Sequence, residues 1–401
     1  MRYAVLGVPL GCIGLPLYVH LPKYYSDTLP LSLGTIGYVM FATRLLDCLA
    51  DPWIGKLLYH NRQRRAEFLW LASAVLGLGV TGLFYLPVLG LESPLLLLST
   101  LLALTYISYS VVTISYYSDG LAMGSGYERS TLLSAYREAS IIIGVMFASI
   151  LPIVLTGSYT ETGAYRLFSL IFVVLLAVCV TLYRKGQAAY TVVQSPSSPW
   201  RRLFANTRLR WVFLLYFFNA TATSITSTLF LFFTTDILKR PDMSGALLGT
   251  YFMGAIAAMP LWLKLTHCLG KRTCLMLSMW TAVISFGLAL ALGEGDALAF
   301  FIICLVSGAA MGGDLAVLPS LLSDALDEGE RDGALEFGIW NFLSKLNLAM
   351  AAGIALPLVG SVAPADYPRV LHLSYATVPC MFKLLAIAIL FISPIERSSR
   401  P

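Results

Sequence analysis

Two aspartates four residues apart are the strongest candidates for chemistry in this sequence. Asp47 and Asp51 lie in the apolar run of residues 32–58, and Arg44 precedes Asp47 by three residues. In an α-helix these spacings place all three charges on one face. A charge at the bilayer centre costs about 2.5–3.5 kcal/mol on insertion scales, so the trio needs a protein-lined cavity or a bound ion. We predict that the aspartates bind a cation in a transport pathway. The alternative is that Arg44 neutralises one acid and the trio only holds helices together.

Two basic residues also fall at membrane depth. Lys345 lies near the middle of the eleventh apolar run, too deep to reach the interface easily, so it should face a carboxylate or water. Asp47 or Asp51 is its natural partner. Arg137 lies about two turns into the fifth run beside Glu138, where a long side chain can either snorkel to the interface or form a pair.

Other features have less specific meanings. Asp314 lies inside the tenth run, and Lys383 lies in the twelfth, where a structural or a rim position are both open. Residues 323–332 form an acidic stretch that we predict to be a cytoplasmic loop, either a solvated face or a gate that pairs with basic inner loops. Small residues allow close helix approach in spans one and ten, at Gly7, Gly11, Gly14, Gly308, Gly312 and Gly313.

The composition is that of a membrane protein, whose helices would position these residues. The chain has 401 residues, of which 58% are hydrophobic and only 12% are charged, whereas soluble domains carry about 25% charged residues. Apolar runs long enough to cross a bilayer recur along the chain. The sequence therefore predicts an all-α protein with twelve transmembrane helices, at residues 4–24, 32–58, 67–88, 95–118, 132–155, 164–183, 209–235, 244–267, 273–292, 297–322, 334–361 and 371–393.

Charge in the loops predicts the orientation. With both termini in the cytoplasm, most loop Lys and Arg residues lie on the inner side, including the clusters at 62–65 and 201–202, as the positive-inside rule requires. The net charge of +5 follows from this arrangement and does not indicate a nucleic-acid partner. The seven cysteines form no metal-ligand spacing, so helix packing explains them.

A polar segment divides the chain in the middle. Residues 184–208 contain a Ser- and Pro-rich stretch between basic pairs and read as a cytoplasmic linker. The linker leaves six spans in residues 1–183 and six in residues 209–401. We predict two six-helix bundles with the substrate between them, as in transporters built from two pseudo-equivalent halves.

Five groups of residues, in order along nearly the whole chain, resemble a known family. They are Tyr24-Tyr25-Ser26-Asp27, Arg44-x-x-Asp47-x-x-x-Asp51-Pro52-x-x-Gly55, Glu128-Arg129 followed by Arg137, Ser323-Asp324-x-x-Asp327, and Lys345. This set resembles the glycoside–pentoside–hexuronide:cation symporters, the melibiose-permease branch of the major facilitator superfamily. The resemblance implies the fold of that superfamily and cation-coupled transport of a small organic solute.

The resemblance also implies roles for single residues. Asp47 and Asp51 would hold the coupling cation, which would be Na⁺ or H⁺, and would be metal ligands only in the sodium-coupled case. Lys345 would lie between the cation and substrate sites, and Arg137 would border the substrate cavity. Further positions that match the family's sugar pocket are Tyr18, Tyr116, Trp340 and Asn341.

The departures from the family pattern make the substrate and the ion open questions. Gly11 and Val112 stand where melibiose permeases carry sugar-binding aspartates, which argues against a galactoside. Ala50 and Tyr109 replace an Asn and a Thr near the cation site, so a proton alone would suffice if one aspartate titrates. The cavity would keep Arg137 and Lys345 but lose two acids, which favours an uncharged or anionic solute over a cation.

The alternatives are a lysolipid or amphiphile transporter of the same fold and, from another class, a membrane prenyltransferase. A prenyltransferase would use acid pairs spaced by four to hold Mg²⁺ and a diphosphate, and its second pair would be Asp324 and Glu328. The absence of a nucleophile–base pair or phosphate-cradling loop in the sequence favours a transporter over an enzyme. We expect a multi-pass monomer in a bacterial inner membrane, with a small-molecule substrate, surrounding lipid, and no cofactor beyond the coupling ion.

Overall fold

The computed structural model is built from helices. It describes residues 2–15, 17, 21, 24–25, 33–86, 94–123, 127–186, 200, 203, 205–326, 332–360, 363 and 365–395. The helices are α1 (Gly7–Leu15), α2 (Leu33–His60), α3 (Arg65–Tyr85), α4 (Pro94–Met123), α5 (Tyr127–Thr156), α6 (Glu161–Gly186), α7 (Thr207–Phe232), α8 (Ser244–Leu269), α9 (Lys271–Leu288), α10 (Ala297–Ala325), α11 (Ala334–Gly360), α12 (Tyr367–His372) and α13 (Val378–Ile392).

Nine helical stretches in the described part of the chain are long and apolar enough to cross a membrane. They correspond to α3 to α10 and to the continuous helix from α12 through α13. The predicted number of twelve spans is not confirmed by this count. α2 has a similar length, but it carries Arg44, Asp47, Asp51 and Lys56 and is not among the nine.

The chain forms two compact units. The first contains residues 1–123, 136–194 and 330–342, and the second contains residues 124–135, 195–329 and 343–401. Two helices contribute to both units, because α5 starts in the second unit and α11 starts in the first. The predicted linker at 184–208 lies mostly outside the described residues, so the bundle boundaries at 183 and 209 stay predictions.

In the first unit, glycines bring α1 against α5. A Cβ built on Gly11 would lie 2.0 Å from the carbonyl oxygen of Ile141, and one on Gly144 would lie 2.0 Å from that of Val8. Only glycine permits backbones this close, so the predicted packing role of Gly7 and Gly11 holds. The described part shows no such contact at Gly14, whose built Cβ meets no atom within 4 Å.

The second unit has the same kind of contact between α8 and α10, at Gly254, Gly308 and Gly312. Its aromatic core lies where two helices carry π-helical turns, at Phe233–Ile237 after α7 and at Leu373–Thr377 between α12 and α13. The rings of Phe233 and Tyr375 stack there with centroids 4.2 Å apart. A π turn adds one residue to the helix, which directs both aromatic rings into this core.

The predicted loop at residues 323–332 is partly helical, because α10 continues to Ala325. Asp324 on its last turn accepts from the buried Lys271 at 2.6 Å, and Ser130 accepts from the same ammonium at 2.9 Å. The helix extends this far because the carboxylate has a buried basic partner in the second unit. A gating role for the acidic stretch stays a prediction.

Candidate functional site

Helix α2 has one apolar face and one face that contains the aspartate pair. Phe41, Leu46 and Trp53 are exposed by 62–65%, whereas Asp47 is 1% exposed and Asp51 is fully buried. The exposed face has the composition of a lipid-facing surface. The spacing of four therefore places both carboxylates together on the protein-facing side, as the sequence predicts.

Helix α4 contributes a hydroxyl to this site. Ser110 Oγ donates to Asp47 Oδ1 at 2.7 Å, and both atoms are buried. This buried hydrogen bond ties α4 to α2 at the acid pair. Arg44 lies over the ring of Tyr106 at 5.1 Å from guanidinium carbon to centroid, a cation–π contact that partly replaces lost hydration.

The first half of α11 lies directly against α2 at the acid pair. A Cβ on Gly338 would be 2.7 Å from the carbonyl oxygen of Asp51, and a Cβ on Gly55 would be 2.5 Å from that of Ala334. One turn further, Cys48 Sγ lies 3.7 Å from the carbonyl oxygen of Phe342. The α11 residues in these contacts are spaced by four, so one face of this segment follows α2.

The start of α11 is held in place by a buried ionic cluster. Asp332 caps the helix by accepting from the backbone N–H of Ala334 at 3.2 Å, and it forms a buried ion pair with Arg65, the first residue of α3. Ser118 donates to the same carboxylate at 3.1 Å, and Arg65 also lies 3.4 Å from Asp119. The cluster therefore fixes the end of α11 that contacts Asp51.

Arg137 is buried and paired, so the snorkelling interpretation is wrong. Its Nε donates to Glu138 Oε1 at 3.0 Å, and its guanidinium carbon lies 3.8 Å from the centroid of the Tyr117 ring. Tyr117 also donates to Glu138 at 3.2 Å. The guanidinium carbon is also 6.0 Å from the ring centroid of Phe337 on α11.

Several buried donors in the first unit make no hydrogen bond among the described residues, and two of them belong to predicted substrate residues. They are Nη2 of Arg137 and Nδ2 of Asn341. Asn341 follows Phe337 by one turn and therefore lies on the same face of α11 as the residue that meets Arg137. These two predicted substrate residues thus belong to one region of the first unit and both offer N–H groups to an acceptor.

The remaining predicted substrate residues have different surroundings. Tyr116 is fully buried, its ring lies 4.7 Å from that of Tyr3, and its hydroxyl donates to the backbone oxygen of Ala4 at 3.3 Å. These contacts make it part of the core of the first unit. Trp340 is 6% exposed, and Lys345 is 8% exposed in the part of α11 that belongs to the second unit. The expected partnership of Lys345 with an aspartate stays a prediction, and Tyr18 lies outside the described residues.

The structure explains one departure from the family pattern. Gly11 contacts the backbone of α5, so no side chain fits at the position where the melibiose permeases carry an aspartate. Val112 is fully buried in α4, and Ala50 is half-buried in α2. Gly11 and Val112 therefore carry no charge at the two positions where the melibiose permeases have aspartates.

Several residues of this region are absent from the sequence-based predictions. Ser110 and Tyr117 are ordinary residues of an apolar helix, and only their contacts with Asp47 and Arg137 reveal them. Glu336 is a fully buried acid on the first turn of α11. Its position in an apolar span, where ionisable groups are rare, is a signal that sequence reasoning could have used.

The fold and the buried charges define a multi-pass membrane transporter. The chain belongs to the MFS/sugar transport protein family, whose sequence profile matches residues 2–397. The predicted resemblance is confirmed, and membership of a transporter family excludes the prenyltransferase alternative.

Similar curated proteins are also transporters. The inner membrane symporter YicJ of Escherichia coli (strain K12) is 25% identical over 350 residues, which cover 82% of this chain and 75% of that protein. The isoprimeverose transporter of Lactiplantibacillus pentosus is 21% identical over 412 residues, covering 93% of this chain and 83% of the relative.

Two solved structures share the fold across almost the whole chain. A bacterial homologue of the iron transporter ferroportin, in an outward-facing state, has a TM-score of 0.76 at 16% identity and covers 97% of this chain and 98% of its own. The E. coli fucose:proton symporter FucP has a TM-score of 0.68 at 14% identity, with 97% of each chain covered.

Proposed function

We propose that this protein is a cation-coupled symporter of a small sugar-like solute that works by alternating access. The observation that carries the proposal is the burial of Asp47 and Asp51 on one face of α2, opposite its lipid-type surface. Ionisable residues at membrane depth are costly and rare, and they mark ion or substrate pathways in transporters. The names of the relatives, among them a glycoside/cation symporter of E. coli, support this class of transport.

The coupling ion binds at the aspartate pair in this proposal. Carboxylate oxygens suit either Na⁺ or H⁺, and Ser110 already donates to one oxygen of Asp47. We propose Na⁺ as the first ion to test and H⁺ as the second.

A neutral solute suits the surroundings of Arg137 best. The pairing of Arg137 with Glu138 balances its charge and occupies its Nε, so an anion gains less from this guanidinium than from an unpaired one. Nη2 of Arg137 and Nδ2 of Asn341 are two buried donors without an acceptor among the described residues. Hydroxyl and ring oxygens of a sugar would supply acceptors, and an anionic sugar derivative is the less favoured case.

The proposal includes a topology. Twelve spans and cytoplasmic termini agree with the hydropathy and with the positive-inside distribution of Lys and Arg, and we propose a monomer in a bacterial inner membrane. Cysteine labelling from either side of the membrane, at Arg2→Cys and at the exposed Asp296→Cys, would test the orientation. Labelling of residue 2 only from inside and of residue 296 only from outside is the expected result.

The decisive experiment measures accumulation against exchange in proteoliposomes. Asp47→Asn and Asp51→Asn remove the charge but keep the shape, so we expect loss of uphill accumulation while downhill exchange of the solute continues. Asp242→Asn, which alters an exposed acid, is the matched control and should behave as wild type. Substrates are first found by thermal-shift screening of sugars, uronates, sulfosugars and lysolipids with and without Na⁺. Uphill accumulation by both aspartate variants at wild-type levels would show that coupling resides elsewhere.

A further inference from the structure

The second unit contains a buried charge pair that the transport proposal does not use. Asp314 on α10 is 5% exposed and Lys383 on α13 is 2% exposed, so the rim position considered for Lys383 is wrong. The Lys383 ammonium lies 2.5 Å from Asp314 Oδ2. Both residues lie well inside membrane-spanning stretches.

Two polar side chains from other helices complete the cluster. Asn219 on α7 donates through Nδ2 to Asp314 Oδ2 at 3.0 Å, while its Oδ1 accepts from the Lys383 ammonium at 2.7 Å. Ser278 on α9 donates to the other carboxylate oxygen at 2.5 Å. Asn219 and Ser278 are buried as well, with exposures of 3% and zero.

The geometry has the form of a cation site. The positive nitrogen contacts one carboxylate oxygen and one amide oxygen, both of them hard ligands of the kind that bind monovalent and divalent metal cations. The remaining groups orient these oxygens, since the Asn219 amide and the Ser278 hydroxyl each donate to the carboxylate. The four residues come from four helices, and the occupant of the central position is part of the chain.

We propose that Asp314, Asn219 and Ser278 form a monovalent-cation site that the ammonium of Lys383 fills permanently. The tethered ammonium occupies the position beside Asp314 and excludes a free ion. The second unit therefore takes up no coupling ion, and any ion that drives transport binds elsewhere in the protein.

The site is tested by removing the tethered cation. Lys383→Met deletes the charge but keeps much of the side-chain volume, so it opens the position beside Asp314 to a small ion. The double variant Lys383→Met/Asp314→Asn is the matched control, because it has the same opening without the negative charge. Both variants keep Asp47 and Asp51, so ion binding at that pair contributes equally to both.

Thermal unfolding of the purified variants is followed at constant ionic strength in NaCl, KCl or N-methylglucamine chloride. A free ion that binds only the folded state raises the melting temperature in a saturable way. We expect NaCl or KCl to stabilise Lys383→Met by a few degrees more than the double variant and wild type, with a matching uptake of radioactive ion of about one per molecule.

Three outcomes overturn the proposal. The first is an equal response of the single and double variants to NaCl and KCl. The second is stabilisation of the single variant by acid alone, since Asp314 is then neutralised without binding a metal ion. The third is recovery of folded protein only for the double variant in every salt, because no free cation then replaces the ammonium. A failure of Asp47→Asn to impair accumulation concerns the transport proposal alone and leaves this test intact.

Discussion

The contact between α2 and α11 beside Asp51 gives a prediction with a magnitude set by the structure. Gly55→Ala would place a Cβ 2.5 Å from the carbonyl oxygen of Ala334 and 3.0 Å from the Cα of Leu335. Both neighbours are backbone atoms and cannot rotate away. An ordinary contact begins at 3.4 Å, so α11 must shift by about 0.9 Å (3.4 minus 2.5) next to Asp51. Overpacking of this kind typically costs about 1–3 kcal/mol.

Alanine is otherwise favoured over glycine in a helix by about 1 kcal/mol. A loss of stability in Gly55→Ala would therefore indicate the steric contact, whereas a gain would indicate its absence. Gly37→Ala in the same helix is the matched control, because its Cβ meets no described atom within 4 Å. We expect Gly37→Ala to be neutral or slightly stabilising and Gly55→Ala to lower the melting temperature. A displacement near 1 Å at a reacting or binding group can reduce rates about 100-fold.

The assay is ion-driven accumulation in proteoliposomes, measured beside thermal unfolding of the same samples. Gly55→Ala should reduce the initial rate of accumulation by one to two orders of magnitude, whereas Gly37→Ala should keep it. Wild-type accumulation and stability in Gly55→Ala would refute the close approach of α11 to α2 and the importance of this contact for Asp51.

Two more predictions follow from buried charges. Asp332→Asn keeps the helix cap but breaks the ion pair with Arg65, and loss of one partner of a buried pair typically costs about 3–5 kcal/mol. We expect a clear fall in melting temperature for Asp332→Asn and none for the exposed control Asp366→Asn. Equal melting temperatures of the two variants would contradict the role of this ion pair. Arg137→Lys removes the planar guanidinium but keeps the positive charge beside Glu138. The KM for the solute in counterflow should therefore rise about tenfold or more, with little change in unfolding temperature. An unchanged KM would show that Arg137 does not contact the solute.

The sequence was sufficient for features that depend on one helix. The common face of Asp47 and Asp51 follows from helical periodicity, and the close approach at Gly11 follows from the absence of a side chain. Features that depend on two helices were beyond its reach. Arg137 pairs with its neighbour in sequence, but its choice between pairing and snorkelling depends on Tyr117 from another helix. The sequence leaves a rim and a structural position open for Lys383, because the residues that contact it are distant in sequence.

The loop prediction for residues 323–332 is partly wrong for a similar reason. A run of acids between apolar segments predicts solvated loop, and charge repulsion along the run supports that prediction. Asp324 nevertheless extends α10, because Lys271 is buried beside it and supplies the missing countercharge. Local composition gives no information about a basic residue that tertiary folding brings from another helix.

The first half of α11 also has a thermodynamic consequence. Residues 334–342 rise by about 13 Å as one rigid helical segment that touches Asp51 on one face and reaches toward Arg137 through Phe337 on another. If an ion binds at Asp51 and a solute binds at Arg137, as proposed, the free energy that ion binding spends in displacing this segment would appear as a change in solute affinity. The reverse effect has the same size, because coupling between two binding equilibria is reciprocal. The solute affinity measured with and without the ion, and the ion affinity measured with and without the solute, would then yield the same coupling free energy.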